Sequence, residues 1–236
     1  VQAGDKIDGG AGIDTFKYYY AGANSASILP TLLNVEKVEL INLQSNIDFS
    51  PVANSGLEEV TLKFNPNFFA TTISGLRDIK LGIDNVTNGG SITGNFGNGT
   101  TASVSLTDST LDTLTIEGSK VTTINLDLDS EFTGGVNRIK TLTTPLEDSA
   151  TGGTLNITGK AGLEIQDIKL NSNAVTTVNA KENTGGVKLS FTDQGKVNFT
   201  GGKGDDSIGF EFAQFDDKSI VDGGDGKDTL RLTGGN

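Results

Sequence analysis

One nine-residue phrase occurs three times in this chain of 236 residues, always near an end. It reads Gly9-Gly10-Ala11-Gly12-Ile13-Asp14-Thr15-Phe16-Lys17, then Gly201-Gly202-Lys203-Gly204-Asp205-Asp206-Ser207-Ile208-Gly209, then Gly223-Gly224-Asp225-Gly226-Lys227-Asp228-Thr229-Leu230-Arg231. All three satisfy Gly-Gly-x-Gly-x-Asp-x-U-x, where U is a large apolar residue. With 32 glycines in the chain, chance supplies about 0.01 matches to this pattern. The phrase is therefore a structural unit, and a repeat of this form implies stacked turns.

Its first six residues have to make a tight turn whose carbonyls converge, and glycine permits the positive φ and close backbone approach this needs. The aspartate adds a hard carboxylate oxygen of the kind Ca²⁺ prefers. The pairs Thr15-Phe16, Ser207-Ile208 and Thr229-Leu230 then start a short strand whose apolar member points into a narrow core. One phrase supplies only half a cage, so an ion needs two stacked turns, spaced like neighbouring strands about 4.8 Å apart. Gly4-Asp5-Lys6-Ile7-Asp8 offers a half-matching neighbour to the first copy. The second and third copies start 22 residues apart, which we read as an 18-residue coil with a four-residue bulge, placing Asp206 and Asp228 face to face.

Charge supports ligation. Residues 1–16 and 201–228 hold ten of the chain's twenty aspartates but one of its ten glutamates, eleven acids against four lysines. The short aspartate side chain stays close to the backbone, as turn-based ligation requires. The net charge of −12 comes with no basic stripe, which argues against nucleic acid as a partner. No apolar run of about 18 residues exists, so no membrane span is expected. Cys, His, Met and Trp are all absent. A chain without cysteine suits export in an unfolded state followed by folding on calcium, in place of a disulfide framework. With no methionine, and with Gly234-Gly235-Asn236 reading like the opening of another repeat, the chain reads as a segment of a longer polypeptide.

A looser repeat fills the middle. The pattern apolar-x-x-apolar-x-apolar recurs at 35–40, 57–62, 76–81, 111–116, 121–126 and 165–170, each ending in a period-two strand rich in Thr, Val, Ile and Leu. Turn-forming Gly, Asn and Ser separate them. The spacing runs from 10 to 35 residues, so irregular rungs decorated with loops are expected, with 17–31 and 85–101 as the main interruptions. The fold class is all-β: a parallel β-solenoid with calcium-binding turns at both ends, or a β-sandwich for the middle. The expected organisation is 1–16 as calcium-binding turns, 17–200 as irregular solenoid and 201–236 as a second calcium-binding roll.

Calcium phrases flanking segments such as Asn34-Val35-Glu36-Lys37-Val38-Glu39-Leu40 and Gly56-Leu57-Glu58-Glu59-Val60-Thr61-Leu62 resemble the crystalline surface-layer proteins of Gram-negative bacteria. These belong to the repeats-in-toxin group exported by type I secretion. The resemblance implies a secreted structural protein that self-associates, with calcium, into a two-dimensional lattice on the cell surface, reaching cell-surface polysaccharide through parts outside this chain. By that resemblance the ligands map onto Asp14, Asp206 and Asp228, the carbonyls around Gly10, Gly12, Gly202, Gly204, Gly224 and Gly226, and the partial turn at Asp5, with Asp8 and Asp222 as additions. Three full copies make a shorter roll than toxins and proteases of the group carry.

Two other readings compete. Without His or Cys, an enzyme would have to use carboxylates or Lys, and Asp127-Leu128-Asp129 puts two carboxylates on one strand face. An adhesin would need a ligand platform. Tyr18-Tyr19-Tyr20, which cannot all be buried in a strand, and Phe68-Phe69 are the aromatic clusters. An ice-binding face would need threonines at fixed rung spacing, and the sequence shows no such period.

Overall fold

Val, Ile, Leu and Thr alternating with polar residues form strands because one face of each can be buried while the other stays wet. The computed structural model describes residues 4–20, 29–52, 56–63, 70–87, 89–148, 152–170, 175–192, 196–212, 215 and 218–234. Successive strands fall by turns into two parallel sheets. One is ten-stranded and runs from Thr15–Tyr19 through Lys37–Ile41, Glu59–Lys63, Lys80–Asp84 and Thr101–Thr107 to Ile220–Asp222. The other is nine-stranded and runs from Ile47–Asp48 to Thr229–Thr233. Lys6–Asp8 and Thr31–Leu33 form a separate parallel pair. No α-helix occurs among the described residues, and no helix there is long and apolar enough to cross a membrane.

The chain is thus a parallel β-solenoid with two strands per coil. The sandwich alternative for the middle falls, because all pairings among the described strands are parallel and join a strand to its counterpart one coil away. The ten-stranded sheet includes both positions 17 and 200, and the nine-stranded one continues without a break past position 200.

The rungs are also more regular than the sequence spacing suggests. Thr15 pairs with Lys37, Lys37 with Glu59, Glu59 with Lys80 and Thr101 with Thr123, so one coil takes 21 or 22 residues at these positions. The 10-to-35-residue spacing mixed two half-coils. The phrases at 35–40, 57–62, 76–81 and 121–126 enter the ten-stranded sheet, whereas those at 111–116 and 165–170 lie in the nine-stranded one. The step of 22 between the second and third glycine phrases is one whole coil, not 18 residues with a bulge: Ser207 pairs with Thr229. Nor is 85–101 a loop, since it contains the strand Ser91–Asn95; of 17–31, the stretch 21–28 lies outside the described residues. The larger departures are inserts, as where Thr123 pairs with Thr154.

Between the sheets, inward side chains stack in columns along the solenoid axis. Ile92, Leu114, Leu142, Ile168, Phe191, Phe210 and Leu232 succeed one another in register in the nine-stranded sheet. Leu114, Leu142 and Ile168 are fully buried, and the rings of Phe191 and Phe210 stack at 5.2 Å. Burying one such side chain contributes about 1.5–3 kcal/mol. At the last coil the column is open: Leu230 and Leu232 remain 46% and 43% exposed.

The outer faces carry polar ladders. Asn125, Asn156 and Asn179 pair in register and pass side-chain hydrogen bonds along the row, Asn156 Nδ2 to Asn125 Oδ1 at 2.9 Å and Asn179 Nδ2 to Asn156 Oδ1 at 3.3 Å. Thr72, Thr93, Thr115 and Thr143 form another row on the opposite sheet, so threonines do share a rung period once coils replace sequence distance.

Candidate metal centre

Strands alternate between the sheets, so the parity of a strand decides at which edge of the solenoid its preceding turn lies. The second and third glycine phrases lead into Ser207–Glu211 and Thr229–Thr233, both in the nine-stranded sheet. The first leads into Thr15–Tyr19, in the ten-stranded sheet. The three phrases therefore make two separate places. Gly202, Gly204, Asp206, Asp222, Gly224, Gly226 and Asp228 come together at one edge of the closing coils. Asp8, Gly10, Gly12 and Asp14 lie at the opposite edge of the opening coil, whereas Asp5 precedes the strand Lys6–Asp8 and is separated from that turn by its length.

At the closing coils the two turns stack directly. Gly201 N donates to Asp222 O at 2.8 Å, Asp225 N to Gly202 O at 2.9 Å and Thr229 N to Asp206 O at 2.8 Å. The Asp206 carboxylate is 3% exposed and accepts Val187 N at 2.7 Å and Gly202 N at 3.0 Å. Asp228 Oδ1 repeats the relation one coil on, accepting Asp206 N at 3.0 Å. Burial pushes the Asp206 carboxyl above its ordinary range against the pull of those two N–H groups, and the charges of Asp228 and Asp205 push it further up.

The same glycine pattern serves two backbone purposes. In the outermost turns the glycines are left-handed: Gly10 and Gly12 have φ of 86° and 126°, Gly224 and Gly226 of 82° and 122°. There an aspartate two residues upstream fixes the turn, Asp8 Oδ1 accepting Gly10 N at 3.1 Å and Asp222 Oδ1 accepting Gly224 N at 3.2 Å. The middle turn, sandwiched between coils, has Thr200 in that place, and neither Gly202 nor Gly204 is left-handed. Gly202 is needed for contact instead, because an added Cβ would meet the carbonyl oxygens of Asn183 and Ala180.

At the opening coil, the turn stacked on 9–14 comes from the following coil. Asp14 N donates to Glu36 Oε2 at 2.8 Å, and Lys37 N donates to Asp14 O at 3.1 Å. Asn34 Nδ2 donates to Asp8 Oδ1 at 2.8 Å, and this bond, with that from Gly10 N, holds the Asp8 carboxyl below its usual range. Asp14 Oδ2 is buried without a hydrogen-bond partner. Asp5 contributes its main-chain oxygen to Thr31 N at 2.8 Å. Sequence reading missed Glu36, Asn34 and Asn183. The coil period could have found them, since Glu36 stands 22 residues after Asp14 and Asn183 stands 22 before Asp205.

Among the described residues no group of three or more acidic side chains is placed to hold a metal ion. The oxygens that do converge are of mixed kind. Where turn stacks on turn, Cβ atoms added at Gly224 and Gly226 would lie 2.6 Å from the carbonyl oxygens of Gly202 and Gly204. Two carboxylates one coil apart with main-chain carbonyls at the closing coils, where Gly202 O already accepts Asp225 N, and the orphaned Asp14 Oδ2 at the opening coil are oxygen donors of the kind a hard cation takes.

The other candidate groups lie elsewhere. Asp127 and Asp129 are outward-facing and each meets a lysine, Lys80 at 3.4 Å and Lys160 at 2.9 Å. The Lys160 ammonium, and then Ser130 N, hold the Asp129 carboxyl below its usual range, opposite to what a general acid needs. Tyr18, Tyr19 and Tyr20 alternate as half-buried, 67% exposed and buried; Phe68 and Phe69 lie outside the described residues. Comparison of the chain with protein-family models, with curated proteins and with solved structures returns no match.

Proposed function

We propose that this chain is a calcium-stabilised structural segment of a bacterial surface layer, secreted by a type I route and self-associating into a two-dimensional lattice. The observation that carries the reading is the stack of two glycine–aspartate turns at 201–206 and 223–228, with the Asp206 carboxylate buried between coils. Asp206 and Asp228, with carbonyls of Gly202, Gly204, Gly224 and Gly226, would hold one ion. Asp14 with Glu36, Asp8 and the carbonyls of Gly10 and Gly12 would serve the other end. Bound calcium supplies charge neutralisation where like charges converge. The chain's own residues do the rest: the glycines let coils approach, and the carboxylates of Asp206 and Asp228 tie their turns to the preceding coil.

Ligand at 100 times its dissociation constant adds about 2.7 kcal/mol per site. Melting in millimolar calcium and in excess chelator tests the calcium reading: a clear rise in midpoint is expected, and equal midpoints would overturn it. Electron microscopy of the longer polypeptide tests the lattice. Ordered sheets are expected with calcium and not with magnesium; dispersed particles in both would favour an adhesin.

A further inference from the structure

A groove of about 250 Å³ lies on the outer face of the ten-stranded sheet; it begins at Lys37, whose main-chain N–H donates to Asp14 O in the first glycine turn. Its floor is the row Thr61, Gly82 and Ser105, three small residues in register on neighbouring strands. Gly82 is the notch. It sits in the interior of the strand Lys80–Asp84 without a left-handed φ, so the backbone conformation does not require glycine. An added Cβ there would lie 2.6 Å from Thr61 Oγ1, so the glycine accommodates the neighbouring Thr61 side chain.

The rim carries both signs, Lys37 and Lys63 against Glu39, Glu59 and Asp84. Lys63 Nζ lies 3.2 Å from both Glu39 and Asp84, and Lys37 Nζ lies 3.6 Å from Glu59. The Lys63 ammonium and the carboxylates of Glu39, Glu59 and Asp84 are each about a fifth to a quarter exposed, so they are held in place yet reachable. A charged ligand gains little there, since either sign meets its own kind beside its opposite. A neutral ligand carrying many hydroxyls fits better. Its O–H groups donate to carboxylates, and its oxygens accept from the ammonium groups and from the hydroxyls of Thr61 and Ser105.

We propose that this groove is a binding site for a short, uncharged oligosaccharide lying along the solenoid axis. Because the rim residue Lys37 is joined to Asp14 of the opening turn, the test runs in saturating calcium, which holds the state of that turn constant. ¹⁵N-labelled protein is titrated with maltotriose, cellotriose and triacetylchitotriose, with trigalacturonate as the charged control. At least one neutral trisaccharide is expected to shift the amide resonances of Thr61, Gly82 and Ser105 ahead of all others. Ser105→Tyr fills the floor from outside and should weaken binding at least about tenfold. Thr177→Tyr, exposed on the same sheet three strands along, should bind as the parent does. Glu59→Gln, which keeps shape and removes one charged acceptor, should bind several-fold more weakly and stands in if Ser105→Tyr misfolds. The proposal is overturned if no neutral sugar shifts these resonances, if only trigalacturonate binds, or if Ser105→Tyr and Thr177→Tyr bind alike.

Discussion

The main-chain N–H of Asp206 donates to the carboxylate of Asp228, 22 residues and one coil further along, at 3.0 Å. The same register puts the Asp206 carboxylate on Val187 N of the preceding coil. Each position-six aspartate therefore joins two coils through hydrogen bonds made by the protein alone, whatever ion its other lone pairs take. The two aspartates differ in burial, since Asp206 lies between coils and Asp228 faces solvent on the last one.

That difference sets the first prediction. Asp206→Ala leaves Val187 N and Gly202 N without their acceptor, and an unsatisfied buried donor costs about 1–3 kcal/mol. Asp228→Ala exposes Asp206 N at a solvated edge and should cost less. Asp112→Ala, at an exposed position outside the turns, should fall within about 0.5 kcal/mol of the parent. Urea denaturation in chelator ranks the three, and calorimetric calcium titration should show weakened binding in the first two only. Asp148→Ala is a second control outside the glycine turns, expected to bind calcium as the parent does.

Glycines in the repeated phrase should not tolerate alanine equally. At Gly202 the new methyl meets two main-chain carbonyls that have nowhere to go, and overpacking of this kind costs about 1–3 kcal/mol or more. At Gly10 nothing lies within 4 Å and only the positive φ is strained, a cost of roughly 1–2 kcal/mol. Chevron or equilibrium denaturation of Gly202→Ala and Gly10→Ala should give that order.

Phe191→Ala removes a fully packed ring from the column that ends at Leu232 and forfeits its stacking on Phe210. A loss of about 3–5 kcal/mol is expected. Coils contact only their neighbours, so hydrogen exchange should accelerate first in the strands Gly162–Lys169 and Ser207–Glu211 on either side.

Acid should weaken the outer face through Glu164. The Lys188 ammonium at 2.7 Å, against a smaller opposing push from burial and with Arg138 at 3.5 Å, holds this carboxyl below its usual range. Its folded pKa is below its unfolded one, so its contribution is present above the unfolded value and lost as pH falls through the folded one. Lys188→Met should cost a few tenths to about 1 kcal/mol at pH 7 and almost nothing well below the folded pKa. Melting curves of parent and variant against pH check this, and parallel curves would contradict it.

On the ladder, Asn156→Ala breaks both side-chain bonds of the row. Net hydrogen-bond contributions of about 0.5–1.5 kcal/mol are reduced here because water replaces them at a half-exposed site. A loss near the lower figure is expected by thermal melting.

By itself the sequence determined an all-β chain of short strands and turns, because Thr-, Val- and Leu-rich alternation writes strands and glycine–aspartate phrases write turns, and both are local; the parallel pairings then chose the solenoid over a sandwich for the middle. It also marked Asp206 and Asp228 as one unit, since their phrases differ by a single coil. Only the tertiary structure decided the length of that coil, because strand pairing links residues about 22 apart and no local pattern records which half-coil a phrase occupies. The same parity put Asp14 at the opposite edge from Asp206 although their phrases match, and gave it Glu36 as neighbour in place of another phrase. Register likewise decided that Asn125, Asn156 and Asn179 form a row and that Gly82 opens a groove, since both depend on which residues three strands bring abreast. Side chains spaced by a coil meet only after the backbone hydrogen bonds have fixed the coil.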